Sequence, residues 1–283
     1  MSVAPASPPK NNLALRVISA LILAPLAVAA AYFGGWLFAA FWGIAALAIL
    51  WEWIGLVIGP NSLGSSSRLI FYVGAVAIAA AIVIIERGRP GAAILIIALG
   101  AIACAIFAPA ARRFWVSGGV LYAGAVLAAP VVIRFDAEFG FAALVFLFLI
   151  VWGTDVFGYF GGRMIGGPKL APSMSPKKTW SGAIAGTFGA IIVGVLVAKY
   201  AGVTNLVPVA IVAFVLSAAA QAGDLFESWV KRQFGAKDSG NLIPGHGGVM
   251  DRLDGFLTAA VVGALIGFTR GGLEASGGGL MLW

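Results

Sequence analysis

Apolar residues run along this chain in blocks of roughly twenty, each closed by a short cluster of turn-forming or charged residues. A helix needs about 20 mostly apolar residues to cross the hydrocarbon core of a bilayer. Nine such blocks fall near 14–33, 36–58, 69–85, 91–108, 114–133, 139–160, 180–198, 205–224 and 255–270. The breaks carry turn chemistry, as at Gly34-Gly35, Gly59 to Ser62, Gly88-Arg89-Pro90, Arg112-Arg113 and Gly166-Gly167-Pro168. The pattern predicts an all-α, polytopic integral membrane helical bundle of about nine transmembrane helices. It reads as a single transmembrane domain over 13–283, with 138–270 carrying the chemistry, behind a polar, disordered tail over 1–12. The first apolar span is long enough to be a retained helix and not a cleaved signal.

Composition agrees with this class. With 61% hydrophobic and 10% charged residues in 283, the chain cannot cover a water-soluble globule with a polar surface. Orientation follows from the basic residues, which are retained on the cytoplasmic side of short loops. A cytoplasmic amino terminus puts thirteen of them inside: Lys10, Arg16, Arg68, Arg112, Arg113, Arg163, Lys169, Lys177, Lys178, Lys231, Arg232, Lys237 and Arg252. Arg87, Arg89, Arg134, Lys199 and Arg270 fall on the other side. The bias places the charged loops after spans six and eight in the cytoplasm, where nucleotides are available. It also explains the net charge of +7 through topology and anionic lipid headgroups, with no nucleic-acid partner. Cys104 is the only cysteine and sits within span four, where a packed small hydrophobe is the expected role.

The segment 224–254 breaks the apolar pattern. It packs nine ionisable side chains and His246, the only histidine, between charge-free runs over 205–223 and 255–269. If span eight continues as a helix past the membrane face, Asp224, Glu227, Ser228 and Lys231 line one stripe at i, i+3, i+4 and i+7. Asp251 and Asp254, three apart at the start of span nine, can face the same interior. Oxygen ligands from two facing helix ends suit Mg²⁺ better than zinc. Glycines in the intervening loop let backbone amides approach phosphate oxygens, and Lys231, Arg232, Lys237, His246 and Arg252 supply positive charge. An acid at an apolar helix end with no evident cation beside it, such as Asp224 or Asp251, is costly unless something pairs with it. Juxtamembrane Lys and Arg are otherwise ordinary topology determinants, and Asp238 and Asp254 have ordinary uses in a turn and at a helix amino terminus.

Upstream, Pro176 fixes the backbone while Lys177 and Lys178 present two ammonium groups where the chain re-enters the membrane. A phosphate role is favoured there over topology alone. Asp155 near the end of span six reads as either a site residue or an ion-pair partner of Arg163. Glu52, between Trp51 and Trp53 in span two, reads as a snorkelling carboxylate in an interfacial Trp belt, outside the site.

The run Ser228, Val230-Lys231-Arg232, Lys237-Asp238, Gly240, Ile243-Pro244, His246-Gly247-Gly248-Val249, Asp251-Arg252-Leu253-Asp254 resembles the signature of phosphatidate cytidylyltransferases, or CDP-diacylglycerol synthases. Many fixed positions over 27 residues make the pattern specific. Thr154-Asp155, Phe157, Tyr159-Phe160, Gly162-Arg163 and the run Ser175 to Trp180 extend the resemblance over about the last half of the chain. Ser181 departs from it, standing where a glutamate is expected before Gly182.

The resemblance implies transfer of the cytidylyl group of CTP to phosphatidic acid at the cytoplasmic face of the membrane, by metal-assisted in-line attack, and the compact chain without a transit peptide suggests that this is a bacterial inner membrane. It implies Asp224 and Asp251 as Mg²⁺ ligands, with room for a second cation such as K⁺. Lys231, Arg232, His246 and Asp254 are the further catalytic candidates. Asp155, Lys177, Lys178, Ser228, Lys237, Asp238 and Arg252 are candidates for substrate binding. Membrane lipids and a homodimeric partner complete the expectation. Two other classes share some of these features. A CTP-dependent kinase of an isoprenoid or other lipid alcohol needs similar groups but releases CDP. An ion-coupled transporter needs acids spread across membrane depth, whereas these cluster at one face.

Overall fold

The computed structural model describes residues 12–59, 65–243 and 247–283. Its elements are α1 (Asn12–Phe33), α2 (Gly35–Ile58), α3 (Ser65–Ile85), α4 (Pro90–Phe107), α5 (Arg113–Arg134) and α6 (Gly140–Ile165). A hairpin of β1 (Lys169–Ala171) and β2 (Ser175–Thr179) follows, then α7 (Trp180–Tyr200), α8 (Leu206–Gln233), α9 (Met250–Gly271) and α10 (Ser276–Met281). Among the described residues eight helices, α2 to α9, are long and apolar enough to cross a membrane. The chain is thus a polytopic helical bundle, and the first expected span coincides with α1. The tail expected to be disordered lies almost wholly outside the described residues.

Small residues set the helix spacing. Helices in lipid gain no hydrophobic drive from meeting each other, so close backbone approach through Gly and Ala does much of the packing. Along the α6–α7 seam a Cβ on Gly186 would stand 2.6 Å from Thr154 O, and one on Gly182 would stand 2.8 Å from Gly158 O. Along α8–α9 a Cβ on Gly223 would meet Asp254 O at 2.6 Å. Between α2 and α5, the Trp53 indole lies over Gly119 and its Nε1 donates to Trp115 O at 2.8 Å. A short polar seam crosses α6, α7 and α8, where Thr154 Oγ1 lies 2.8 Å from Ser217 Oγ and Gln221 Nε2 donates to Thr187 Oγ1 at 2.9 Å.

Two elements differ from the sequence expectation. The Ser175–Thr179 run is a strand, paired antiparallel to β1 with Lys169 opposite Thr179 and Ala171 opposite Ser175. A two-stranded sheet has only edges, so Pro176 costs it no interior ladder bond. The sheet nonetheless leaves the bundle helical in character. At the opposite end α10 has no counterpart among the expected spans, being short and glycine-rich. It is fastened by Ser276 Oγ donating to Val132 O at 2.5 Å and by Gly278 N donating to Asp136 Oδ2 at 2.7 Å.

Because the α6–α7 approach is backbone against backbone, no rotamer change can relieve an added methyl there. Gly186→Ala should cost about 1–3 kcal/mol of stability, read as a lower thermal midpoint in detergent. Cys104→Ala, whose Sγ donates to Ile70 O at 3.3 Å inside the core, should leave turnover nearly unchanged. An unchanged midpoint for the first, or lost turnover in a folded second, would contradict this packing.

Candidate active site

One end of the bundle gathers the carboxyl ends of α2, α6 and α8 with the amino ends of α5, α7 and α9. Aromatic contacts tie it together: Trp115 meets Trp229 and Phe234, with ring centroids 5.5 and 4.9 Å apart, and the Arg112 guanidinium lies 5.0 Å over the Phe234 ring. The helix α8 does continue past its apolar run, so Asp224, Glu227, Ser228 and Lys231 are all helical, as expected. The helix α9 begins at Met250 and runs antiparallel to α8, which places Asp251 and Asp254 in its first turns. Seven residues of α8 separate Asp224 from Lys231, about 10 Å along the axis at 1.5 Å per residue. The charged groups accordingly form two clusters at different depths.

The first cluster borders a cavity of about 390 Å³ between α6, the hairpin, α7 and α8, lined by Asp155, Arg163, Lys177, Lys178, Gln221 and Asp224 among others. Lys178 forms an ion pair with Asp224, with 28% and 30% of the two side chains exposed. The hairpin therefore supplies the cation that the sequence did not reveal beside Asp224. Asp155 lies within the electrostatic reach of Asp224, Lys178 and Arg252. Asp254 feels Asp224, Asp155 and Lys178 in the same way, because Gly223 lets α8 close on α9 at that level. Three carboxylates from three helices thus share one field. Ser181, standing where a glutamate is expected, hydrogen-bonds Gly166 O and lies 3.0 Å from Thr179 Oγ1. Thr179 in turn caps α7 by accepting from Gly182 N at 3.1 Å, so Ser181 latches the base of the hairpin.

The second cluster is buried. Lys231 Nζ lies 2.7 Å from Glu227 Oε2, one turn back on α8, and 2.7 Å from Asp251 Oδ1 on α9. Asp251 Oδ2 accepts from Ser239 N at 3.0 Å, Ser239 Oγ at 3.0 Å and Gly248 N at 2.8 Å. Ser239 Oγ is also 3.1 Å from Glu52 Oε2, and its single proton serves one carboxylate at a time. Glu52 further accepts from Val249 N at 2.8 Å and Met250 N at 2.9 Å. Several loop amides expected to face phosphate are therefore committed to protein carboxylates. Glu52 itself, 3% exposed, is no snorkelling carboxylate: its partners lie almost 200 residues away in sequence.

Asp155 makes no ion pair with Arg163, since eight helical residues put the two about 12 Å apart along α6; Arg163 Nη1 instead donates to Tyr159 Oη at 3.2 Å. Arg232 donates to Ala236 O at 2.9 Å and closes the end of α8. Arg232, Lys237, Asp238 and Arg252 are exposed and Ser228 is half-buried. His246 lies outside the described residues. Tyr122 of α5 was not anticipated. Its buried hydroxyl has no hydrogen-bond partner among the described residues and lies within reach of Asp254, Glu227, Asp224 and Asp251, from both clusters. Only its position opposite α8 marks it, and that is a tertiary fact.

Among the described residues no three Asp, Glu, His or Cys groups surround one point closely enough to hold a metal. That donor set fits Mg²⁺ in its common mode, one or two carboxylates with phosphates and water completing the shell, and does not fit an all-protein cage. Asp224 offers an accessible carboxylate for it. Asp251 has both oxygens engaged.

The chain matches the Cytidylyltransferase family over residues 14–269, and it belongs to that family. Among its relatives, a Brucella abortus (strain 2308) protein named phosphatidate cytidylyltransferase is 42% identical over 260 residues, covering 91% of this chain and 94% of its own length. One of the same name from Brucella melitensis matches to the same extent. A third, from Rickettsia bellii, is 45% identical over 122 residues, 41% of this chain and 53% of its own.

The two clusters should respond differently to loss of their lysines. An ion pair that is partly exposed contributes about 0–1 kcal/mol, so Lys178→Met should keep the wild-type thermal midpoint while losing turnover. Lys231→Met strands two buried carboxylates and should cost about 3–5 kcal/mol, seen as a lower midpoint in the same detergent. The opposite ranking of midpoints would refute the division.

Proposed function

We propose that this protein is a phosphatidate cytidylyltransferase, converting CTP and phosphatidic acid into CDP-diacylglycerol and pyrophosphate. The family and the names of its relatives support that reaction. The observation that carries it to a site is the accessible Lys178–Asp224 pair at the mouth of a cation-lined cavity, at the end of a membrane bundle. A phosphate oxygen of the lipid attacks the α-phosphorus of CTP, a new P–O bond forms, and the bond from that phosphorus to the bridging oxygen breaks, pyrophosphate leaving with the electron pair. No protein nucleophile is needed, so the residues act by position and charge. Arg163, Lys177 and Lys178 hold phosphates in the cavity and neutralise charge on the departing pyrophosphate. Asp224, with Asp254 of α9 in the same field, would hold Mg²⁺. Such an ion supplies charge neutralisation across the phosphates when bound.

The basic residues at this end support a cytoplasmic orientation of the site, in the inner membrane of a bacterium, where CTP is present. The buried Lys231 group is assigned to the frame and not to substrate.

With CTP labelled at the α-phosphate, phosphatidic acid and Mg²⁺ in micelles, label should pass into lipid in step with pyrophosphate release, and EDTA should stop both. Asp224→Asn should lower that rate roughly hundredfold or more without unfolding the bundle. Label remaining in aqueous CDP, with the γ-phosphate passing to an alcohol, would instead mark a lipid kinase. For the ion, Mn²⁺ binding followed by electron paramagnetic resonance should weaken more in Asp224→Asn and Asp254→Asn than in Asp251→Asn. The reverse order would return Asp251 to the ligand set.

A further inference from the structure

We propose that Glu52, on α2, is a positioning residue for the reaction: its carboxylate fixes the register of α9 and of the loop before it, and so sets where Asp251 and Asp254 stand. The proposal rests on the functional reading above for what the loop is used for, but its geometry is independent of that reading.

A helix begins with four backbone amides that have no partner within the helix. Val249, at the amino-terminal cap of α9, makes no side-chain capping bond. Glu52 performs that task from another helix, accepting from Val249 N and Met250 N with its two oxygens at 2.8 and 2.9 Å. A carboxylate there also complements the positive end of the helix dipole. The third donor, Ser239 Oγ, extends the grip ten residues upstream of Val249. Ser239 also bonds Asp251, so Glu52, Ser239 and Asp251 form a continuous chain of contacts.

Two glycines of the motif follow from this carboxylate. A Cβ on Gly248 would stand 2.5 Å from Glu52 Oε2 and 2.0 Å from Ser239 Oγ, and one on Gly240 would stand 3.0 Å from Glu52 Cγ. Their small size makes room for the clamp. The mount is rigid, because the next residue, Trp53, is locked on α5 by its bond to Trp115 O and its contact with Gly119. Other ties among the loop's described residues are the bonds from Ser239 and Gly248 to Asp251 and the bond from Ile243 N to Gly247 O, while Lys237 and Asp238 are exposed and Leu242 is 51% exposed. Loss of the Glu52 charge should therefore loosen the loop and leave the bundle standing.

The experiment compares Glu52→Gln and Ser239→Ala with the wild type in detergent, by thermal unfolding, by the rate of trypsin cleavage after Lys237, and by steady-state kinetics. Cleavage reports opening of the loop whatever reaction the protein performs. In Glu52→Gln, cleavage should speed up and kcat should fall about tenfold or more, with KM for CTP within about threefold of wild type. Ser239→Ala, which removes one link and no charge, should shift cleavage and kcat the same way by less. Wild-type kcat in Glu52→Gln, or a lower kcat with unchanged cleavage, would overturn the proposal. So would an unfolded Glu52→Gln beside a Ser239→Ala variant with wild-type cleavage and turnover, which would make Glu52 a core residue only. If the wild type transfers no cytidylyl group, the functional reading fails while the cleavage comparison still decides the clamp.

Discussion

Everything at the charged end of this bundle depends on one buried ammonium. Lys231 stands between Glu227 and Asp251, 2.7 Å from each, where α8 and α9 meet. Taking an ammonium and two carboxyl groups out of water is expensive, and attraction offsets that cost only when geometry and further hydrogen bonds are good. Asp251 meets that condition through Ser239 and Gly248, and Glu52 secures the same loop from α2. The arrangement fixes how the two helices register against each other. Glycine then lets their backbones close, at Gly223 against Asp254.

That register separates two tasks that lie close together in sequence. Antiparallel helices put Lys231 level with Asp251, and Asp224 level with the turn containing Asp254. The more buried of the two clusters pairs Lys231 with Glu227 and Asp251 inside the protein and serves as a frame. The more open one, around Asp155, Asp224 and Lys178, borders the cavity and has charge to offer a ligand. Chemistry on a triphosphate needs accessible, unsatisfied charge, whereas a frame needs the reverse. Tyr122 stands within reach of acids from both groups, its hydroxyl buried between them.

The apolar blocks and the stripe on α8 were legible in the sequence because both depend on local spacing. A run of twenty apolar residues and an i, i+3, i+4, i+7 pattern mean the same thing wherever the chain goes. The residues missed are those whose meaning is tertiary. Glu52 lies between two tryptophans and looks interfacial until α2 is set beside the start of α9. Lys178 could be seen as a phosphate-facing cation but not as the partner of Asp224, since the hairpin that delivers it is held by the α6–α7 seam. Asp155 and Arg163 looked like a pair along the chain, and helical rise keeps them apart. The motif glycines suggested open amides, yet at Gly240 and Gly248 they make space for a side chain from another helix.

On the proposed function, substrate phosphates enter the cavity of Lys177 and Lys178 and not the loop that carries Lys237. The most direct measurement is the rate at which an amine-reactive probe modifies each lysine of the folded protein, located by mass spectrometry, with and without CTP and Mg²⁺. Nucleotide should slow modification of Lys177 and Lys178 and leave Lys237 unchanged. Protection of Lys237 alone, with Lys177 and Lys178 as reactive as before, would contradict the placement of the site.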